Sequence, residues 1–168
     1  QSTHLPKPAP EAPEAVTASP SDSQSKLSEA DRVRATGNTA YNRGDYRCAV
    51  DAYSAALQIA MSATERTGES DSSIRRCRAV CLTNRAAALK MLDSLPKAIE
   101  DCMAAVAHDR TYTKAHLRAA KYHVQRTELE KATKCLGNVE EASASAEDLQ
   151  EIAEIHQQCE DIETHLGA

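Results

Sequence analysis

Five side chains with the chemistry needed to bind carboxylates lie in three short stretches of the sequence. Arg34 and Asn38 occur in "RATGN", Asn84 in "TNRAA", and Lys114 and Arg118 in "KAHLRAA". Arginine and lysine supply charge-assisted hydrogen-bond donors, and an asparagine amide supplies N–H donors without adding repulsion between the cations. If the fold brings the five together, they can hold a molecule that carries carboxylates.

Patterns for catalysis or metal binding are weak by comparison. Cys77 and Cys81 are four residues apart and His116 and His123 are seven apart, so they form neither a CxxC pair nor an HExxH zinc site. We predict that they are small helical cysteines and surface histidines. The sequence contains no Gly-rich phosphate loop and no Ser-centred nucleophile elbow. These features predict a binding module rather than an enzyme, with no metal and no cofactor.

The elements that position these residues are predicted to be helices throughout. Apolar residues make up 41% of the 168 residues, with no Phe, no Trp and five Tyr. A core of this kind depends on Ala, Leu, Ile, Val and Cys, which suits close packing of helices. The chain has five Gly and, beyond residue 20, a single Pro. The predicted fold class is therefore all-α.

Charge and cysteine content restrict the partners that we expect. The net charge of −5 gives no basic field for nucleic acid or for an anionic membrane. No apolar run reaches the roughly 18 residues that span a bilayer.

The six cysteines lie within helical patterns rather than in the spacings of small secreted domains, which predicts free thiols in a reducing, cytoplasmic compartment. Because the chain begins with Gln, we expect it to be part of a longer protein.

Three regions follow from the distribution of residue types. Residues 1–27 hold five of the six prolines and many Ser, Ala and Glu, which predicts a disordered tail. Ser28 begins Ser-Glu-Ala-Asp, which resembles the start of a capped helix. Residues 28–142 are predicted to form three repeats, with an insertion around 59–73 that makes one hairpin connection longer. Residues 143–168 are predicted to form a C-terminal capping helix.

The repeat is visible as a recurring spacing of small residues. Three pairs share an interval of 12 positions: Gly37 and Ala49, Ala86 and Ala98, and Ala120 and Ala132. The third pair follows the second by 34 residues, and the second follows the first by 49, which is 34 plus a 15-residue insertion. Small residues where two helices cross let the backbones approach closely. Tyr53, Cys102 and Leu136 are then expected to fill the space between one hairpin and the next.

Two further patterns are interpreted structurally. Arg43-Gly44-Asp45 falls at the predicted turn between the first two helices, where Gly allows positive φ, so we interpret it as a turn and not as an adhesion signal. After the third unit, Ser145 and Asp148 predict a helix start and Gly167 a helix end. Five apolar residues form one stripe along this helix: Ile152, Ile155, Cys159, Ile162 and Leu166. The stripe is barely two heptads long, which favours a helix that covers the last hairpin over a dimerising coiled coil.

The 34-residue interval resembles the tetratricopeptide (TPR) repeat, a helix hairpin that stacks into a right-handed solenoid. This resemblance implies that the first helix of each unit lines a concave groove. It covers about residues 31–139, and "AIEDCMAAVAHDRTYTKAHLRAAKYHV" looks most like the repeats of co-chaperones that combine TPR units with a J-domain.

The five carboxylate-binding side chains match the dicarboxylate clamp of TPR co-chaperones, which holds the C-terminal Glu-Glu-Val-Asp peptide of cytosolic heat-shock chaperones of 70 and 90 kDa. Arg34 stands where the family usually has lysine. By this resemblance Arg34, Asn38 and Asn84 hold the terminal carboxylate, and Lys114 and Arg118 hold side-chain carboxylates and nearby carbonyls. Four neighbours are expected to contact the peptide further upstream: Tyr41, Asn42, Met91 and Lys121.

Two alternatives of other classes remain open at this point. The chain can be read as a scaffold whose groove binds an internal segment of another protein, in which case a free peptide carboxylate is not needed. It can also be read as self-associating through the final helix, in which case removal of residues 145–168 dissociates a dimer. The clamp reading predicts a monomer that binds a chaperone C-terminus.

Overall fold

The computed structural model describes residues 20–63, 69–139 and 144–167. Within these ranges the chain forms helices and no strand, which confirms the all-α prediction. None of these helices is long and apolar enough to cross a membrane. Seven helices follow one another: α1 (Pro20–Asn42), α2 (Tyr46–Ser62), α3 (Glu69–Met91), α4 (Leu95–His108), α5 (Thr113–Gln125), α6 (Leu129–Gly137) and α7 (Ala146–Leu166).

The helices are arranged as three hairpins followed by α7. Each odd-numbered helix packs on the even-numbered helix that follows it, and α1, α3, α5 and α7 also contact one another in that order. This arrangement places the odd-numbered helices side by side along one face, and that face carries the predicted binding residues.

The three turns within the hairpins share a left-handed backbone residue at the same position of the repeat. Gly44 has φ 81°, and Asp93 and Thr127 each have φ 56°. Their separations of 49 and 34 residues match the spacing of the repeat. Gly44 lies within the Arg-Gly-Asp tripeptide, as predicted, and Asp45 caps α2 by accepting a hydrogen bond from the Cys48 backbone N–H at 3.1 Å.

Packing at the helix crossings follows the repeated small residues. All six members of the three pairs are buried, and the five alanines among them are fully buried. A Cβ atom added to Gly37 would lie 2.6 Å from the ring of Tyr53, so the close contact of this ring with α1 requires glycine. Tyr53, Cys102 and Leu136 are buried, at 3%, 0% and 4% exposure.

Helix α1 begins at Pro20, eight residues before the predicted start at Ser28, so residues 20–27 of the predicted disordered tail are helical. Ser28 Oγ does not cap a helix; it donates to the carbonyl of Gln24 within α1, at 3.1 Å. Leu27 is buried together with Ile74 of α3. The additional turns of α1 form because the long helices α2 and α3 offer apolar surface that the start of α1 covers. Residues 1–19 lie outside the described part of the chain.

The predicted long connection around residues 59–73 is largely helical. Helix α2 continues to Ser62 and α3 begins at Glu69, and residues 64–68 lie outside the described residues. Arg78 holds the end of α2 in place, since it donates to the carbonyls of Ala60 at 3.1 Å and Ala63 at 3.2 Å. The insertion therefore lengthens both helices, in place of the longer connection that we predicted over this whole range.

Helix α7 covers the last hairpin. Ser145 and Asp148 form a capping box at its start and Gly167 ends it, as the sequence predicted. Ile155 and Cys159 are buried in the core that α5 and α6 share, at 1% and 3% exposure. The apolar stripe is shorter than predicted, because Leu166 is 73% exposed. The predicted boundary between residues 142 and 143 lies outside the described residues.

All six cysteines are free thiols. Five are buried, whereas Cys48 is exposed on the first turn of α2. Burial raises the pKa of the Cys102 thiol to about 12, so this side chain behaves as a small apolar residue.

Candidate functional site

Three of the five predicted carboxylate-binding residues meet in one cavity. Asn38 of α1, Asn84 of α3 and Arg118 of α5 line a cavity of about 340 Å³, which we call the central cavity. Tyr41 and Asn42, two of the predicted additional contacts, line it as well. The remaining lining residues are Tyr53 and Ala87. Residues that are up to 80 positions apart therefore share one surface, because they occupy related positions on adjacent odd-numbered helices.

The two asparagines are held by hydrogen bonds that set the direction of their donors. Tyr53 Oη donates to Asn38 Oδ1 at 2.8 Å, and Asn84 Nδ2 donates to the same oxygen at 3.2 Å. With Oδ1 engaged twice, the Nδ2 donors of Asn38 remain on the other edge of the amide. Burial raises the pKa of Tyr53, so its hydroxyl keeps the proton that it donates at neutral pH.

The guanidinium of Arg118 is also oriented before any ligand binds. Its Nη1 donates to the backbone carbonyl of Thr83 at 2.6 Å, and Thr83 is almost fully buried. A guanidinium has five N–H donors, so this bond leaves donors that can reach a carboxylate in the cavity. Arg118 is half-buried, which strengthens such a bond relative to one in bulk water.

Arg34 lies one helical turn before Asn38 but lines a different space. This outer cleft of about 910 Å³ lies between α1, the start of α3 and the loop that joins α4 to α5. Arg34 forms an ion pair with Asp31 at 2.9 Å. Burial alone would lower the pKa of Arg34, but the hydrogen bond and charge of Asp31 more than offset this and raise it. Arg34 is thus near the central cavity and already has a carboxylate partner.

Lys114 lies on the other side of Arg118, in a third space that we call the side cleft. This cleft of about 360 Å³ is bounded by α5 and by the first turns of α7. It brings together three cations of α5 and three carboxylates of α7: Lys114, Arg118, Lys121, Glu147, Asp148 and Glu151. Lys121, a predicted peptide contact, is paired with Glu151 at 2.8 Å. Arg118 lines both the central cavity and the side cleft.

Met91, the remaining predicted contact, is the last residue of α3 and is 42% exposed. It lines none of these three spaces. The structure thus brings Asn38, Asn84 and Arg118 together directly, places Arg34 and Lys114 beside them, and leaves Met91 apart.

Two features of this surface were missed from the sequence. The hydroxyl of Tyr53 was assigned only a packing role, although it fixes Asn38 from the neighbouring helix. The carboxylates of Glu147 and Glu151 were not predicted to lie near the binding residues. A tyrosine on α2 fifteen residues after Asn38 gives no helical spacing that could have identified the bond, and no spacing along the chain predicts that residues of α7 face those of α5.

The histidines are buried, which corrects the prediction that they lie on the surface. His116 and His123 are only 3% and 6% exposed. His116 Nε2 lies 2.9 Å from the Arg110 carbonyl, and His123 Nδ1 lies 2.7 Å from a carboxylate oxygen of Glu128. Both rings thus have structural partners. In the described part of the chain no group of three His, Cys, Asp or Glu residues could hold a metal ion.

No protein-family model matches the chain. Over 98 residues, which are 58% of this chain, it is 34% identical to the mouse DnaJ homolog subfamily C member 7. The matched part is 18% of that protein, so the chain spans less than a fifth of this curated relative.

Solved structures of similar shape carry bound peptides. The first TPR domain of Spaghetti (RPAP3), solved with the HSP90 peptide SRMEEVD, is 29% identical with a TM-score of 0.59; the match covers 81% of this chain and 96% of that one. The TPR2B domain of yeast Sti1, solved in complex with an Hsp70 peptide, is 26% identical with a TM-score of 0.63; the match covers 82% of this chain and 98% of that one.

Proposed function

Because this chain is a tetratricopeptide-repeat domain that resembles the TPR domains of co-chaperones, we propose that its groove binds the acidic C-terminal peptide of a heat-shock chaperone of 70 or 90 kDa. The groove is the face formed by α1, α3 and α5, with the central cavity at its middle. The ligand that we propose ends in Glu-Glu-Val-Asp with a free carboxylate.

One observation carries this proposal: Asn38, Asn84 and Arg118 converge on the central cavity from three different helices. Two amides and a guanidinium offer several N–H donors and a single full charge within a small volume. Such a set suits a carboxylate, which accepts up to four hydrogen bonds. Donors that are already oriented also lose less conformational freedom when the ligand binds.

Different side chains of the groove bind different parts of the peptide. Arg34, Asn38 and Asn84 bind the terminal carboxylate, and Lys114 and Arg118 bind side-chain carboxylates and backbone carbonyls upstream. Arg34 has to exchange or share its ion pair with Asp31 when the peptide enters. The activity is binding without catalysis, by a monomer that acts as an adaptor. It takes place in the cytoplasm, where such chaperones occur.

The test is a titration with a labelled peptide ending in Glu-Glu-Val-Asp, alongside the same peptide amidated at its C-terminus. We expect the free acid to bind near micromolar affinity and amidation to weaken binding at least tenfold, since a charged contact contributes about 1.5–3 kcal/mol. Lys114→Ala together with Arg118→Ala should abolish binding. Lys134→Ala, on the exposed side of α6, is the matched control and should bind as the unmodified chain does.

Arg118 also bonds to the Thr83 carbonyl, so the double variant is checked for helicity and thermal unfolding before it is titrated. Equal binding of the free and amidated peptides, or binding of neither, contradicts the proposal. The first result would instead support a scaffold that binds internal segments. Self-association through α7 is less favoured, because Ile155 and Cys159 are already buried in the core of the same chain.

A further inference from the structure

We propose that the start of α7 forms the far wall of the groove and selects the charge of the bound peptide upstream of its acidic end. In this role Glu147 and Glu151 favour a basic side chain and disfavour an acidic one. The inference rests on the proposed peptide-binding function and extends it, because it names which acidic C-termini the groove prefers.

The side cleft supplies the geometry. It shares Arg118 with the central cavity, so the two spaces adjoin along α5. One wall carries Lys114 and Lys121, and the opposite wall carries the α7 carboxylates. The 2.8 Å ion pair between Lys121 and Glu151 shows that a carboxylate of α7 reaches an ammonium group across the cleft.

The charges of the side cleft balance in the free protein, with three cations facing three carboxylates. A peptide whose carboxylates engage Lys114 and Arg118 takes two of those cations as its own partners. Lys121 then remains as one cation facing three carboxylates, and the cleft becomes negative. A cation on the peptide at this point restores the balance, whereas a further carboxylate adds repulsion.

Distances along the groove place this selection several residues upstream of the peptide terminus. Packed helices lie about 8–10 Å apart, so α3 and α7, with α5 between them, are separated by about 16–20 Å. An extended peptide advances about 3.3 Å per residue, so a terminus held at Asn84 places the residue five positions upstream about 17 Å away, near α7. The peptide SRMEEVD, which was solved with the RPAP3 domain, has an arginine five residues before its final aspartate.

Asp148 lies in the same cleft, but its side chain caps the start of α7. Its Oδ2 accepts hydrogen bonds from the Ser145 backbone N–H at 3.0 Å and from the Ser145 hydroxyl at 2.8 Å, which complete the capping box of α7. Replacing it would disturb the helix start. Glu147 is exposed and Glu151 is 35% exposed, so both can be changed without loss of a buried contact.

The experiment compares three peptides that differ only at that upstream position: SRMEEVD and versions with Gln or Glu in place of the Arg. Each peptide is titrated both as the free acid and in amidated form. The titrations use three proteins: the unmodified chain, the double variant Glu147→Gln plus Glu151→Gln, and the single variant Glu160→Gln. The last is the matched control, since Glu160 is exposed on α7 and does not line the cleft.

We expect the unmodified chain to rank the peptides Arg, then Gln, then Glu, with steps of about two- to fivefold, the range for partly exposed ion pairs. The double variant should bind the three with nearly equal affinity, and Glu160→Gln should keep the ranking. The steps should shrink at high salt.

An unchanged ranking in the double variant, or no ranking in the unmodified chain, overturns the inference. If all peptides bind and amidation weakens them, that result leaves the proposed function intact and only the selection by α7 fails. If no peptide binds, or amidation has no effect, the proposed function fails and this inference fails with it.

Discussion

Tyr53 and Asn38 are on different helices, yet the Tyr53 hydroxyl donates a 2.8 Å hydrogen bond to the Asn38 side-chain oxygen. The ring that carries this hydroxyl lies against Gly37, the residue next to Asn38, where no Cβ could fit. One residue therefore connects the packing of the first hairpin with the orientation of a proposed binding amide.

Tyr53→Phe keeps the ring and removes only this hydroxyl. We expect the affinity for the free-acid peptide to fall about two- to tenfold, because a lost hydrogen bond of about 0.5–1.5 kcal/mol leaves the Asn38 amide less well fixed. Peptide titration measures the effect. Tyr46→Phe is the control, since that ring packs edge-on against Tyr41 instead. Equal affinity of Tyr53→Phe and the unmodified chain would show that the bond does not prepare the site.

Asp31 is expected to compete with the peptide for Arg34. Asp31→Asn removes the carboxylate that pairs with Arg34 at 2.9 Å. It also removes a negative charge that would repel the peptide carboxylates, so peptide binding should tighten about two- to fivefold. The gain should be larger at 50 mM than at 300 mM salt, because salt screens exposed charges. Asp51→Asn, an equal charge change on exposed α2 surface, should have little effect. Weaker binding by Asp31→Asn would instead mean that the pair holds Arg34 in its binding position.

Thr127 adopts a left-handed conformation with φ 56°, which is costly for a β-branched residue. Thr127→Gly should raise the free energy of unfolding by about 0.5–1 kcal/mol. The reason is that the substitution relieves about 1–2 kcal/mol of backbone strain, which exceeds the free-energy cost of the greater conformational entropy that glycine has in the unfolded chain. Urea unfolding measures the change. The converse variant, Gly44→Ala at the equivalent turn, should destabilise the chain. A loss of stability in Thr127→Gly would show that the bond from its hydroxyl to the Arg126 carbonyl outweighs the strain.

Glu128 gives the fold a dependence on acid pH. The hydrogen bond with His123 lowers the pKa of Glu128, with smaller contributions from Arg126 and Lys131. A carboxylate with a lowered folded-state pKa stabilises the fold above its unfolded pKa of about 4.3, and this stabilisation is lost as pH falls through the folded value. The unmodified chain should therefore exceed Glu128→Gln in stability at pH 7, and the gap should narrow as the pH is lowered to 3.

Urea unfolding of both chains at the two pH values measures this gap. Glu130→Gln, which changes an exposed carboxylate in the first turn of α6, should show a much smaller gap at either pH. A gap of equal size at pH 7 and pH 3 would mean that the carboxylate charge of Glu128 is not what stabilises the turn.

The sequence was sufficient for the repeating fold. Small residues at a fixed interval, from Gly37 to Ala132, predicted the helix crossings because a close approach of two backbones tolerates few side chains. The same register predicted that Asn38, Asn84 and Arg118 share a surface, since residues at related positions of successive units line one face. Local capping chemistry likewise gave both ends of α7.

The tertiary structure alone decided how these residues are used. It gave Arg34 and Lys121 carboxylate partners, buried His116 and His123, and began α1 at Pro20 because the lengthened α2 and α3 offer apolar surface there. Charges on one helix meet those on another only after the hairpins have packed, and the spacing along the chain does not encode that meeting. The periodicity of apolar and small residues therefore determined the scaffold, whereas the pairing of polar groups across helices decided the chemistry of the groove.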